Sequence, residues 1–223
     1  MKIPTIELEL IIAKSMDCDN STGLRGFIGR YFSEDVLLHN HDYEGFVYSY
    51  PRVQYKVIDK TAKIIGLAEG FKSVKNIPKF DKITLGHEDF IVIDMDLMEK
   101  QASFGILESQ NPYSFITPWL ALNEKNYEKY RRFGRWDKKK ELLEKILIGN
   151  IISMSKSLGY TVPEPIIANI GKLKEVNTSL KGTPMIGFLG DFSVNFEIPD
   201  YWGIGKSVSR GFGTVKRVNE LKS

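Results

Sequence analysis

The sequence predicts an α+β protein of two tandem ferredoxin-like, RRM-like units, residues 1–100 and 101–223. Three observations lead there. The first half reads strand, helix, strand, strand, helix, strand, which is the βαββαβ order. The second half repeats that order more loosely, without a visible repeat in the residues themselves. The composition is globular: 223 residues, 42% hydrophobic and 26% charged, enough chain to bury a sizeable core without covalent staples. The single cysteine, Cys18, excludes a disulfide framework and any CxxC zinc or redox site. The start, Met1-Lys2-Ile3-Pro4, meets Glu7 and Glu9 where a signal peptide needs an unbroken apolar stretch. The longest uncharged run, Ser109 to Asn123, is fifteen residues broken by Pro112 and Pro118, against the roughly 20 apolar residues of a membrane span. A soluble, cytoplasmic protein is expected.

In the first half, Ile6, Leu8, Leu10 and Ile12 alternate with Glu7 and Glu9, the period-2 pattern of a half-buried strand. A helix follows, capped by Asn20 or Ser21, with Leu24, Phe27, Ile28 and Tyr31 on one face. Gly26 and Gly29 inside it cost roughly 1 kcal/mol each relative to alanine, which points to something approaching the backbone. A polar stretch, Leu38 to Gly45, leads into aromatics ending at Pro51. Arg52–Ile58 and Lys63–Leu67 read as strands around an Asp59-Lys60-Thr61 turn, Glu69–Asn76 as a short helix before Pro78, and Phe90–Leu97 as a strand.

The second half begins with strand-like segments around Phe104 and from Tyr113 to Leu122. A helix over Asn123–Phe133 precedes a long one, capped by Asp137 and ended by Gly159. The long helix carries an apolar stripe of Leu143, Ile146, Leu147, Ile151, Met154 and Leu158. Asn150 falls on that stripe and needs an internal hydrogen-bond partner. Strands over Ile166–Leu173 and Met185–Phe196, a turn near Asp200, a glycine-rich loop and a last strand, Phe212–Val218, complete the unit.

Charge is concentrated. The net charge is +3. Five bases face two acids from Asp200 to Ser223, and nine face five from Glu124 to Lys145. Such segments suit a polyanion, although ordinary solvated helix faces are the favoured account of Lys138 to Lys140 and a weaker account of the tail. The sharpest motif is Gly203-Ile204-Gly205-Lys206-Ser207-Val208-Ser209-Arg210-Gly211-Phe212-Gly213. Its four glycines let backbone approach a phosphate, and Lys206 and Arg210 supply the counter-charge. It is not a P-loop, because Asp200 stands where the first glycine belongs and only sixteen residues follow Ser207. The dinucleotide fingerprint fails at Val208.

Gly-x-Gly, a basic hydroxyl-rich stretch and Gly-Phe-Gly together resemble the G-loop of the repeat-associated mysterious protein (RAMP) superfamily. Within it the chain most resembles the endoribonucleases that cut precursor CRISPR RNA in each repeat. Leu24 to Tyr31, His39-Asn40-His41, Tyr50 to Lys56, Thr117 to Asn123 and Ile148-Gly149-Asn150 are also similar to that family's blocks, in the family's order. The resemblance implies tandem ferredoxin-like folds and catalytic histidine in the loop after the first helix. It implies repeat RNA as partner, with the subunits of a CRISPR effector complex as further partners and a monomer or homodimer as the state of assembly.

His39 and His41 fit that place. A metal-binding HxHxDH pattern fails at Tyr43 and Glu44, and His87 is the only other histidine, so neither metal nor cofactor is expected. RNA cleavage by its own 2′-hydroxyl needs a base for that hydroxyl and an acid for the departing 5′-oxygen, and histidine serves as either near neutral pH. Products would carry 2′,3′-cyclic phosphate and 5′-hydroxyl ends. His41 ranks ahead of His39 because Asp42 adjoins it. Tyr48, with Tyr31, Arg30 and Lys56, is a candidate to meet charge on the phosphate. The expected catalytic set is therefore His41, His39 and Tyr48. The RNA-binding set is Lys206, Arg210, Gly203, Gly205, Gly211, Gly213, Ser207, Ser209 and Arg30. Phe46, Tyr48, Tyr50 and Tyr55 have the chemistry to stack on bases, but their spacing suits a packed strand face better. The competing reading is a non-catalytic RNA-binding subunit of an effector complex, which would not need the histidine pair. A small-ligand-binding protein of the same fold is disfavoured by the basic tail.

Overall fold

The first strand, buried from Thr5 to Leu8, is central to the N-terminal sheet. The computed structural model describes residues 1–17, 20–39, 41–42, 45–46 and 49–218, with backbone alone at 41, 42, 45 and 46. The elements run β1 (Lys2–Ile12), α1 (Asn20–Tyr31), α2 (Val36–His39), the two-residue strands β2 (His41–Asp42) and β3 (Gly45–Phe46), β4 (Val53–Ile58), β5 (Thr61–Leu67), α3 (Gly70–Lys75), β6 (Lys82–Leu85) and β7 (Glu88–Ser103). The sheet order is β4-β5-β1-β7-β6. Without the added edge strand β6, the order is second, third, first, fourth, so two βαβ crossovers interleave, as a ferredoxin-like unit requires. Ile6, Leu8 and Leu10 of β1 pack with Leu24 and Ile28 of α1, Val53, Tyr55 and Val57 of β4, and Val74 of α3. On the other face Lys63 of β5 donates to Glu7 at 2.6 Å and also pairs with Glu9.

The C-terminal unit contains β8 (Gly105–Trp119), α4 (Glu124–Arg132), α5 (Trp136–Ser157), β9 (Ala168–Leu180), β10 (Thr183–Glu197) and β11 (Val215–Arg217). Its sheet order, β11-β8-β10-β9, is again second, third, first, fourth, read from β9. Where the N-terminal unit has α3 before its last crossover strand, this unit has the glycine-rich loop. The core is aromatic: Phe115 stacks on Trp119 at 4.9 Å, and Phe104 meets Phe196 edge-on at 4.9 Å. Asn150 accepts a hydrogen bond from Trp119 Nε1 at 3.1 Å, which is the partner its place on the stripe demanded.

Several boundaries differ from the sequence reading, each for a local reason. The two segments expected between Phe104 and Leu122 are one strand, β8. Asp137 lies inside α5, whose cap is Arg135, and serves as an acid in the first turn, where it favours the helix dipole. Neither candidate cap of α1 bonds into its own helix: Asn20 Oδ1 accepts from the Asp17 N–H at 2.8 Å, and Ser21 Oγ from the Val57 N–H at 2.9 Å. Asn123 does cap α4, accepting from the Asn126 N–H at 2.8 Å, and Gly159 follows α5 at φ +73°.

Candidate functional site

The N-terminal unit, Lys2–Ala102, also takes in Val208–Gly211 of the glycine-rich loop. Those four residues decide the site. Val208–Arg210 forms a single 3₁₀ turn, and Gly211 after it has φ +90° and lies so close to α1 and β4 that a Cβ there would stand 2.8 Å from Ser21 Oγ and 3.2 Å from the Tyr55 carbonyl. Only glycine allows that approach. The turn is thereby seated beside the buried ridge of α1, which consists of Ser21, Leu24, Arg25, Ile28 and Gly29.

The same ridge fixes His39. Its Nδ1 lies 3.0 Å from the Gly29 carbonyl. A carbonyl only accepts, so Nδ1 carries the proton and Nε2 is the basic nitrogen of the neutral ring. A Cβ on Gly29 would stand 3.0 Å from that Nδ1, so Gly29 admits the histidine, while Gly26 faces open space. Arg25 Nη2 donates to the His39 carbonyl at 3.3 Å, and the Tyr55 hydroxyl donates to the neighbouring Leu38 carbonyl at 2.8 Å. The end of α2 is therefore held from both α1 and β4.

The electrostatics are cationic. Arg25 is 7% exposed. Burial, and after it the Arg210 guanidinium, pull Arg25 below the usual arginine value, against an opposing pull from Tyr55. Burial lowers Arg210 as well. Lys56 on β4 has no exposed surface, and burial brings its ammonium down to about 7.

The sequence-derived residues separate into groups. His39 and Arg210 belong to one compact unit, together with Arg25, which the sequence reading passed over as part of a motif block. Its signal was available: an arginine spaced four residues from both Ser21 and Gly29 lies on the ridge those small residues open. His41 lies on β2, with its side chain outside the described residues, and Tyr48 is outside them too. Arg30 and Tyr31 are solvent-exposed. Tyr55, considered for stacking on bases, is 1% exposed and belongs to the core. In the C-terminal unit, Gly203 bridges Thr214 and Gly213 donates to the Pro118 carbonyl at 2.9 Å, while Gly205 abuts Trp119 and Asn150. Lys206 is exposed, Ser207 half-buried and Ser209 buried. These glycines serve the chain's own packing first. No described helix is long and apolar enough to cross a membrane.

Family models decide the relationship. Residues 1–103 match the Cas6b N-terminal domain and residues 105–218 the Cas6b C-terminal domain. The chain belongs to the Cas6b family. A crystal structure of Cas6b is 37% identical, superposes with a TM-score of 0.90 and covers 98% of this chain and 100% of its own. A second Cas6b, described as a CRISPR RNA processing endoribonuclease, is 35% identical at a TM-score of 0.79, again covering 98% and 100%. An uncharacterized protein of Methanocaldococcus jannaschii is 49% identical over 139 residues, 62% of this chain and 94% of that protein. A more distant CRISPR-associated Cas6, 15% identical at a TM-score of 0.56, shares the fold. The expected tandem α+β architecture and RAMP-type kinship are thus those of the Cas6b family.

Proposed function

We propose that this Cas6b-family chain is a metal-independent endoribonuclease that cuts precursor CRISPR RNA within its repeats. The observation that carries the reading is the anchoring of His39: Nδ1–H on the Gly29 carbonyl leaves Nε2 as the base, in a unit that also holds Arg25 and Arg210. The substrate class is supported by a 35%-identical relative described as a CRISPR RNA processing endoribonuclease. His39 Nε2 takes the proton of the 2′-hydroxyl. The 2′-oxygen attacks the adjacent phosphorus, the bond from phosphorus to the 5′-oxygen breaks, and His41 returns a proton to that oxygen. Tyr48 and the cations meet the charge on the phosphate. Lys206, Arg210 and Arg30, with the loop backbone from Gly203 to Gly213, hold the RNA chain.

The test is single-turnover cleavage of labelled repeat RNA in excess EDTA. Continued cleavage is expected, with 2′,3′-cyclic phosphate and 5′-hydroxyl ends identified by their resistance to alkaline phosphatase and their acceptance of a 5′-phosphate from polynucleotide kinase. Loss of activity on chelation, restored by magnesium or manganese, overturns the mechanism. Tight repeat binding without cleavage in any buffer makes the chain a binding subunit instead.

A further inference from the structure

Two arginines occupy one corner of the N-terminal unit with no acidic partner among the described residues. Arg25 spends one Nη2 hydrogen on the His39 carbonyl at 3.3 Å, but its Nε is buried and has no hydrogen-bond partner. Gly211 abuts Ser21, one helical turn before Arg25 on the same face of α1, and this places its neighbour Arg210 beside that face. The Arg210 guanidinium acts electrostatically on Arg25. A buried arginine with an unused donor and a second guanidinium acting on it is a standing cost in a folded chain, and an arriving anion relieves it. Guanidiniums are the side chains that meet a phosphate with parallel N–H donors.

We propose that Arg25 and Arg210 form a binding site for a single phosphodiester of the RNA chain, next to His39. The site requires the 3₁₀ turn Val208–Arg210 and the α1 ridge together, so the loop's contribution here is one guanidinium seated by Gly211 rather than a glycine cradle. A phosphate held there is fixed relative to the backbone that carries His39, because Arg25 grips both. Arg25 is a positioning residue: it aligns the RNA backbone with the histidine and takes no part in proton transfer. The inference rests on the reading of this chain as an RNA-processing protein.

The test uses the full chain and repeat RNA carrying 2′-deoxyribose at the cleavage position, with affinity measured over a range of salt. Arg210→Gln and Arg25→Gln should each weaken binding about 10- to 100-fold and lower the slope of log affinity against log salt by about 1. The double variant should lose little more than either single, because both groups grip one phosphate. Replacing linkages one at a time by neutral methylphosphonate should reveal one whose neutralisation weakens the wild type but not the double variant. Multiplicative losses with no such linkage overturn the shared site, as does wild-type affinity in both singles. Arg210 is half-exposed, so Arg210→Gln carries the test alone if Arg25→Gln does not fold. A second readout needs no RNA: sulfate, against chloride at equal ionic strength, should raise the melting temperature of the wild type but not of Arg210→Gln. If the wild type binds no repeat RNA, the proposed function fails, and the sulfate comparison then supports or overturns the anion site by itself.

Discussion

Lys56 and Gly29 show how much a single position can decide. Lys56 sits mid-strand with no exposed surface, and burial holds its ammonium near 7. Below about pH 7 the group is charged in folded and unfolded chains alike, and the folded chain bears the full cost of burying it. Between about 7 and the ordinary lysine value of 10.5, the folded chain has released the proton while the unfolded chain still holds it. Stability therefore rises with pH across that window, by at most about 1.4 kcal/mol per pH unit. Denaturant titrations at several pH values between 7 and 10 should show the rise in the wild type and its loss in Lys56→Met; parallel curves would show that Lys56 does not titrate there. Gly29 makes the opposite kind of case. Alanine is the better helix former by roughly 1 kcal/mol, yet its Cβ would press on His39 Nδ1. Gly29→Ala should keep its melting temperature and lose at least about 10-fold in single-turnover cleavage, since small misplacements of reacting groups are costly. Unchanged cleavage would detach His39 from the chemistry. Gly29 was legible in the sequence because a helix tolerates glycine only for a reason. Arg25 was harder to see, because an arginine in an amphipathic helix ordinarily reads as surface.

At the scale of elements, only Gly159 of the expected capping residues ends its helix as read, and strand alternation and apolar helix stripes carried most of the reading. The central strands, the two long helices and the order of both units follow from them. Short segments did not announce themselves. β6, with four residues, is too brief for a period to stand out, and α2, Val36–His39, is one helical turn running into the polar stretch. Turn geometry was only partly legible. The β4–β5 hairpin turns through Asp59 at φ 50° and Lys60 at φ 66°, and the β9–β10 hairpin through Lys181 at φ 51° and Gly182 at φ 79°. Both have the two positive φ angles of a type I′ turn, which prefers Asn-Gly, and in both a lysine occupies one of the strained positions. Lys181→Asn completes an Asn-Gly turn without touching either strand ladder, and Lys60→Gly does the equivalent at the first hairpin. Each should raise stability by about 0.5–1 kcal/mol, seen as a higher denaturation midpoint at unchanged slope. A fall in midpoint would mean that the lysine side chain contributes more than the turn costs.

Over the whole molecule, net charge conceals two unlike basic segments, and the sequence could not separate them. Four of the nine bases of α4 and α5 answer acids of their own helix: Arg132 lies 3.7 Å from Glu128, Lys138 3.3 Å from Glu141, Lys145 2.8 Å from Glu141 and Lys140 3.8 Å from Glu144. At those four bases an acid at helical spacing already meets the charge. In the glycine-rich loop, by contrast, Lys206 is exposed, and Arg210 has no ion-pair partner among the described residues. Counterion release depends on cations that are free to meet phosphates, so salt dependence should discriminate between the segments where total charge does not. Lys206→Ala combined with Arg210→Ala should lower the slope of log affinity against log salt for repeat RNA by about 2, one for each phosphate no longer neutralised. Lys138→Ala combined with Lys145→Ala removes the same charge from the long helix and should leave the slope within about 0.5 of the wild type. The helix pair thus serves as a charge-matched control measured on the same RNA over the same salt range. Equal slopes for the two variants would mean that RNA responds to the protein's overall charge, and the loop would then lose its claim to hold the RNA backbone.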